Sequence, residues 1–259
     1  MHDVVVTGIG PVSAVGIGRA AFRDGLAGPP ARGPLTLFAG EHEVAAVTGL
    51  DLATILPSIK TYLDRASEFT LAACGLALAD AGLTPGAWER WRAGIVLGST
   101  FGCLGTLHTF TALLQQKGAR MANPLLFSHA YVNTPTSIAA IEFGLGGHHG
   151  SFAGDGAGAQ ALDSAVEALQ LGRADLLLAV GVDGISEPLY RALAAEGRLD
   201  TDTLGEGACA LVLETAEHAA ARGAVGVPLP DPAEVRDLLG LTFAAEPLFA
   251  RAAPLAAGW

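Results

Sequence analysis

The chain has 259 residues, of which 51% are hydrophobic and only 16% charged, and its formal net charge is −11. This negative charge argues against nucleic acid as the main partner. No run approaches the ~18 consecutive apolar residues of a membrane-spanning helix, and the N-terminus lacks the basic and apolar regions of a signal peptide. We therefore expect a cytoplasmic protein that buries much apolar surface, part of it against a partner subunit.

Strand and helix patterns alternate along the chain. The run Val4-Val5-Val6-Thr7 is continuous and β-branched, which predicts a buried strand that breaks at Gly8-Ile9-Gly10-Pro11. Such alternation is typical of an α/β fold around a mostly buried sheet. Further strands are predicted at 43–47, 93–99, 176–183 and, after a turn, within 205–214; helices are predicted at 16–25, 62–81, 104–117, 137–143, 161–171, 188–195, 215–222 and 231–239.

Three cysteines, Cys74, Cys103 and Cys209, lie in apolar or small-residue contexts. Their spacing does not match that of metal ligands. We interpret them as small buried side chains, and the sequence predicts neither a disulfide nor a metal site.

A glycine-rich stretch, residues 150–162, separates an apolar run ending at Leu145 from a predicted amphipathic helix. A tight turn that leads into a helix N-terminus presents one side chain to the positive end of the helix dipole. Asp155 occupies the centre of this turn. A carboxylate there is a good helix cap and a poor nucleophile.

Five motifs in order resemble the N-terminal half of a β-ketoacyl synthase of the thiolase fold. The resemblance covers residues 1–215 and implies an α/β, thiolase-like fold whose C-terminal half is truncated, with 216–259 as a short extension that packs on the core. The motifs are Val5-Val6-Thr7-Gly8-Ile9-Gly10, Gly94-Ile95-Val96-Leu97-Gly98-Ser99, Ser151 to Leu162, Ala179-Val180-Gly181-Val182-Asp183 and Gly205-Glu206-Gly207-Ala208 before Leu211-Val212-Leu213-Glu214.

Two departures from that family change the expected function. The family's nucleophilic cysteine corresponds to Asp155, which cannot carry an acyl group as a thioester. The two catalytic histidines belong to the missing half, and His218 is the only histidine after His149. The chain therefore resembles a chain-length factor of a type II polyketide synthase, in a short form similar to those of polyene and aryl-polyene systems.

This resemblance implies a heterodimer with a catalytic ketosynthase, contact with an acyl carrier protein through that complex, and no cofactor. It places the tunnel wall that limits chain length at Leu104, Leu107 and Thr111, together with Leu189. The first three are spaced i, i+3, i+7 and share one helical face. An interpretation as ordinary core leucines is equally open. Interface positions implied by the resemblance are Phe127, Tyr131, Asn133 and Asp155.

Other interpretations stay open at this point. Asp155 could cap the following helix, form a salt bridge across the interface, or mimic a malonyl carboxylate. The whole chain could instead be an independent hydrolase or decarboxylase with a remodelled turn, or a purely structural stabiliser of a ketosynthase.

Overall fold

The chain forms a six-stranded sheet with helices on both faces, and a second sheet of three strands. A computed structural model describes residues 1–56, 58 and 61–258. The strands are β1 (Val4–Ser13), β2 (Gly16–Ile17), β3 (Gly33–Pro34), β4 (Glu43–Ala45), β5 (Ala93–Ser99), β6 (His149–Ala153), β7 (Leu176–Asp183), β8 (Leu204–Gly205) and β9 (Gly207–Thr215). The helices are α1 (Arg19–Leu26), α2 (Arg65–Asp80), α3 (Leu104–Lys117), α4 (Pro124–Ser128), α5 (Thr134–Phe143), α6 (Ala157–Gln170), α7 (Glu187–Ala195), α8 (Ala216–Ala221), α9 (Arg236–Leu239) and α10 (Glu246–Ala257).

The large sheet has the strand order β2-β1-β9-β7-β5-β6. Strands β7, β5 and β6 run parallel, while β9 pairs antiparallel with both β1 and β7. Successive residues of a strand point to opposite faces, so a strand that is apolar throughout contributes to two cores. In β7, Leu176 and Leu178 pack on the α2 and α5 side, whereas Leu177 and Ala179 pack on the side of α1, α6 and α10. The predicted α/β class is confirmed.

The first strand continues through the predicted break at Gly8-Ile9-Gly10-Pro11 and ends at Ser13. The prediction of a break was wrong because these glycines serve packing rather than a turn. A Cβ at Gly8 would overlap the carbonyl oxygen of Ala77, and one at Gly10 would overlap that of Ala73. The backbone of α2 therefore lies directly on β1, where only glycine leaves room.

Several predicted boundaries are confirmed, among them 93–99, 104–117 and 176–183. The helix predicted at 62–81 begins at Arg65 because Asp64 caps it, with its Oδ1 accepting from the Ala66 amide at 3.0 Å.

The C-terminal region differs from the expectation. The helix predicted at 231–239 is limited to α9, which begins only at Arg236. The weakly periodic segment 247–259 instead contributes most of α10, and Leu248 and Phe249 are fully buried in the core that also contains Val6 and Ile9. The proposed division between 1–215 and 216–259 stays a prediction.

The three cysteines are free and buried. Burial, with Asp64 nearby, raises the pKa of the Cys103 thiol to about 12. Within the described residues, no group of three or more His, Cys, Asp or Glu side chains could hold a metal ion. In the same part of the chain, no helix is both long and apolar enough to span a bilayer.

Candidate functional site

The turn that presents Asp155 joins β6 to α6 and depends on two glycines. Gly154 and Gly156 have φ angles of +93° and +71°, which favour glycine. The carboxylate of Asp155 is exposed, and α6 begins at Ala157 with Gly156 as its N-cap and no side-chain cap hydrogen bond. Asp155 therefore does not cap α6, and the capping interpretation was wrong.

A cavity of about 210 Å³ lies beside Asp155. On one side of it, Arg236 makes a two-pronged ion pair with Glu246, at 2.8 to 3.1 Å. Among the described residues that line the cavity, none is a cysteine or a histidine, so it lacks the nucleophile and base of an acyl-transfer site. The lining residues are Thr100, Asp155, Gly156, Arg236, Leu241, Phe243, Glu246 and Pro247.

A second carboxylate, Asp183, lies buried at the end of β7 and organises the floor of this region. It accepts hydrogen bonds from the Ser99 hydroxyl and from the backbone amides of Thr100, Phe101 and Ala244, all at 2.9 to 3.0 Å. Burial raises the pKa of Asp183, while these donors oppose the rise. Asp183 thereby ties the turn before α3 to the C-terminal segment. The sequence signal was an acid at the end of an apolar strand, where Asp183 was recognised only as the last residue of a motif.

The C-terminal segment packs closely against two glycines of this site. A Cβ at Gly158 of α6 or at Gly181 of β7 would overlap the carbonyl oxygen of Ala244. The backbone around Ala244 therefore wedges between the first turn of α6 and the sheet, in space that only glycine provides.

The predicted tunnel residues separate into two pairs. Leu189 is 4% exposed and shares an apolar cluster with half-buried Leu104. Leu107 is 45% exposed, and Thr111 is exposed with its hydroxyl bonded to the Leu107 carbonyl at 2.8 Å. The structure thus brings Leu104 and Leu189 together and leaves Leu107 and Thr111 on the surface of α3.

An aromatic row continues that surface. The ring of Phe127 lies 5.4 Å from that of Phe110 and 5.0 Å from that of Tyr131, between centroids. Phe127 and Tyr131 are 47% and 49% exposed, and Asn133 is also exposed. These three predicted interface residues occupy one neighbourhood, whereas Asp155 makes no contact with them that the structure records.

Strand β6 forms one edge of the large sheet. It pairs with β5 only, and in the described chain its other side carries no strand. Nearby on α5, Ile141 is 81% exposed. An edge strand next to exposed apolar side chains is a typical surface for pairing with another chain.

A groove of about 350 Å³ runs between α3 and α7. Asp64 lies in its wall and accepts hydrogen bonds from the Thr106 amide and hydroxyl, at 3.1 and 2.7 Å. Beside it Arg65 pairs with buried Glu206. The remaining wall is mostly apolar and includes Leu37, Phe38, Leu63, Leu126, Ile185 and Pro188, but none of the four predicted tunnel residues.

Comparison with protein families identifies the class. The family described as "Beta-ketoacyl synthase, N-terminal domain" matches residues 51–219. The chain therefore belongs to the β-ketoacyl synthase family.

Curated relatives from Streptomyces are among the matches. The chain is 33% identical to "Putative polyketide beta-ketoacyl synthase 1" of Streptomyces halstedii, over 85% of this chain and 60% of the relative. It is 29% identical to the tetracenomycin polyketide synthase ketoacyl synthase alpha subunit of Streptomyces glaucescens, over 85% of this chain and 59% of that subunit. The chain thus spans about three fifths of the length of the curated relatives it matches.

Solved structures share the fold. The structure named "The ishigamide ketosynthase/chain length factor" has a TM-score of 0.81 at 24% identity, covering 98% of this chain and 91% of that chain. A β-ketoacyl synthase from Burkholderia phymatum has a TM-score of 0.76 at 23% identity, covering 100% of this chain and 79% of that chain. The predicted thiolase-like, ketosynthase fold is confirmed.

Proposed function

We propose that this chain is the non-catalytic, chain-length-determining subunit of a ketosynthase heterodimer. The observation that carries the proposal is the exposed carboxylate of Asp155 in the turn before α6, at the position that the resemblance assigns to the family's nucleophilic cysteine. The adjoining cavity offers no cysteine or histidine among its described residues. A carboxylate in this turn cannot take the place of a cysteine that carries the acyl group as a thioester.

Exposed apolar side chains support the part of the proposal in which this chain binds a catalytic ketosynthase. Leu107, Phe127, Tyr131 and Ile141 are each more than two fifths exposed, and exposed apolar side chains of this size favour contact with another chain. Edge strand β6 offers unpaired backbone groups for a partner's strand. We infer that the catalytic ketosynthase covers this surface.

The substrate of the pair would be a polyketide chain carried by an acyl carrier protein and extended by decarboxylative Claisen condensation. A structure of similar fold is described as a type II polyketide synthase acyl-carrier protein in complex with its ketosynthase bound to the hexaketide, with a TM-score of 0.72 at 24% identity, covering 87% of this chain and 66% of that chain. In more detail, we propose that the chain is the short form of this subunit that serves a polyene or aryl-polyene pathway. Leu104, Leu107, Thr111 and Leu189 would limit chain length by volume, because one methylene changes discrimination by ~1–3 kcal/mol.

Co-expression with the ketosynthase encoded nearest to this gene tests the proposal. We expect a stable complex, acylation of the partner only, and shorter products for Leu107→Trp by mass spectrometry. Leu171→Trp is the matched control, because Leu171 is also exposed but lies at the end of α6. If Leu107→Trp does not change the product length, the chain does not set chain length and acts only as a structural stabiliser of the ketosynthase. If the isolated chain turns over substrate, it is an independent enzyme.

A further inference from the structure

The groove between α3 and α7 is kept open by a glycine. Gly105 is the second residue of α3 and lines the groove. A Cβ at this position would lie 3.6 Å from the Cβ of Ser186 and 3.7 Å from Oδ2 of Asp64, which are ordinary contact distances. Glycine is less favourable in a helix than alanine. Unlike Gly8 and Gly10 in β1, this glycine is not required by close packing of backbone, and what it provides is space in the groove.

One wall of the groove is held in place by a buried hydroxyl group. Tyr190 of α7 accepts hydrogen bonds at its Oη from the backbone amides of Glu41 and His42, at 2.9 and 3.2 Å. The ring of Phe38 packs edge-on against Tyr190, 5.5 Å away between centroids, and Phe38 and Leu37 line the groove. The wall is therefore formed before a ligand binds, which lowers the cost of binding. A volume of about 350 Å³ is at the lower end of the range of small-molecule sites.

Three charged side chains in the wall are already bonded within the chain. Arg65 pairs with buried Glu206, and Glu187 accepts a hydrogen bond from Arg191 at 2.8 Å. Asp64 accepts from the first turns of two helices, α2 and α3. An anionic ligand would lie beside the carboxylate of Asp64 and be repelled by it. The groove therefore favours an uncharged ligand.

One hydroxyl group in the wall has a hydrogen-bonding capacity that the chain does not use. Ser186 is the N-cap residue of α7, but its side chain does not cap the helix. Its Oγ is buried and has no hydrogen-bond partner among the described residues. A buried hydroxyl without a partner is costly, and rotation about the Cα–Cβ bond lets it reach a ligand in the groove that Ser186 lines. It can then donate to a carbonyl oxygen of that ligand.

We propose that this groove binds an uncharged, linear acyl chain, with its aliphatic part along Leu63, Leu126 and Ile185 and its carbonyl oxygen bonded to the hydroxyl of Ser186. A groove that runs between two helices and is lined by aliphatic side chains suits a flexible chain better than a planar ring. The described lining residues include none of the four predicted tunnel residues, so this site is separate from the predicted tunnel wall. The inference does not depend on the proposed function.

Isothermal titration calorimetry of the full chain at neutral pH tests the site with three probes: the N-acetylcysteamine thioester of octanoic acid, its monoglyceride and octanoate. We expect both neutral probes to bind, and octanoate to bind at least about tenfold more weakly because of the Asp64 carboxylate. Tighter binding of the thioester would identify a thioester-linked chain as the ligand, tighter binding of the monoglyceride a neutral lipid, and equal binding the acyl chain alone. The proposal is overturned if neither neutral probe shows saturable binding, or if octanoate binds as tightly as they do.

Two substitutions test the contacts of the bound chain. Gly105→Leu fills the groove and should weaken binding of the neutral probes at least about tenfold, without loss of thermal stability, because leucine is the better helix former. Gly33→Leu is its control, since a Cβ on Gly33 of β3 meets no atom within 4 Å.

Ser186→Ala should also weaken binding about tenfold, as expected for one lost hydrogen bond, while the unfolding temperature is maintained because the hydroxyl has no partner in the free chain. Ser164→Ala on α6 is the matched control and should bind the probes as the wild type does. Unchanged affinity in a folded Gly105→Leu chain overturns the assignment of the ligand to this groove, and unchanged affinity in Ser186→Ala overturns the contact to the carbonyl oxygen.

Discussion

Helices α2 and α3 have similarly apolar sequences and opposite surroundings. Ten of the sixteen residues of α2 are buried between the sheet and α5, whereas none of the fourteen residues of α3 is buried. A folded chain pays a free-energy penalty for apolar surface that stays in water. The core of the described chain therefore depends far more on α2 than on α3, and the proposed function assigns the exposed apolar residues of α3 to a partner surface.

The tight contact between the backbone of α2 and β1 gives the largest expected effect of a single substitution. Gly10→Val would drive a branched side chain into the carbonyl of Ala73, and we expect the chain to unfold or to lose more than ~3 kcal/mol of stability. Urea denaturation followed by circular dichroism measures the loss. Gly33→Ala is the control, because an added Cβ there meets no atom within 4 Å. A stable Gly10→Val chain would show that β1 and α2 are not packed as described.

Substituting one phenylalanine by alanine in each helix compares α2 and α3 directly. Phe69 of α2 is 1% exposed, so Phe69→Ala should cost ~3–5 kcal/mol. Phe110 of α3 contacts only the half-exposed Phe127 among aromatic rings of the described chain, so Phe110→Ala should cost the isolated chain less than ~1 kcal/mol. We expect the order to reverse in the affinity for the proposed ketosynthase partner, measured by calorimetry. Equal losses of stability would remove the distinction between the helices.

Acid should loosen the C-terminal end of α2. Arg222 donates to the Ala81 carbonyl at that end and pairs with the buried carboxylate of Glu214, which also accepts from Thr7 and contacts His218. Burial alone would raise the pKa of Glu214, but the hydrogen bond from Arg222 and its companions lower it below the usual value of 4.5. A group with a lowered pKa stabilises the fold above its unfolded pKa and loses that contribution as the pH falls through the folded pKa.

We therefore expect the stability of the wild type to decline below about pH 4.5 more steeply than that of Glu214→Gln, which cannot titrate. At neutral pH the variant should be less stable by ~1–3 kcal/mol, because a buried charge-assisted network is broken. Denaturation at a series of pH values measures both effects. Parallel curves for the two proteins would mean that Glu214 does not carry this pH dependence.

The sequence was most informative where a pattern depends on neighbouring residues alone. Buried strands such as 93–99 and 176–183, and the start of the helix at Leu104, follow from apolar runs and from glycine turns. It was least informative where a distant element decides the outcome. The continuation of β1 through Gly8 depends on α2, and the packing of α10 depends on glycines more than 60 residues away in the chain.

The same limit applies to the candidate site. The turn around Asp155 was found from its glycines and from the family resemblance, but the absence of a cap could not be foreseen, because helix starts differ by single residues. Asp183 was missed as an organising group because its four donors come from two segments that only the fold brings together. The periodicity of α3 was equally compatible with a core and with a partner's surface.

Two aspartates at helix starts provide the finest comparison. Asp64 caps α2 and also accepts from the Thr106 amide and hydroxyl, so it joins the first turns of α2 and α3. Asp155 precedes α6 without capping it. Asp64→Ala should therefore cost ~1–2 kcal/mol, while Asp155→Ala should change the stability of the isolated chain by less than ~0.5 kcal/mol. If thermal denaturation shows Asp155→Ala to be as costly as Asp64→Ala, the carboxylate has a stabilising partner within the chain; if only the complex with the ketosynthase weakens, its partner lies across the interface.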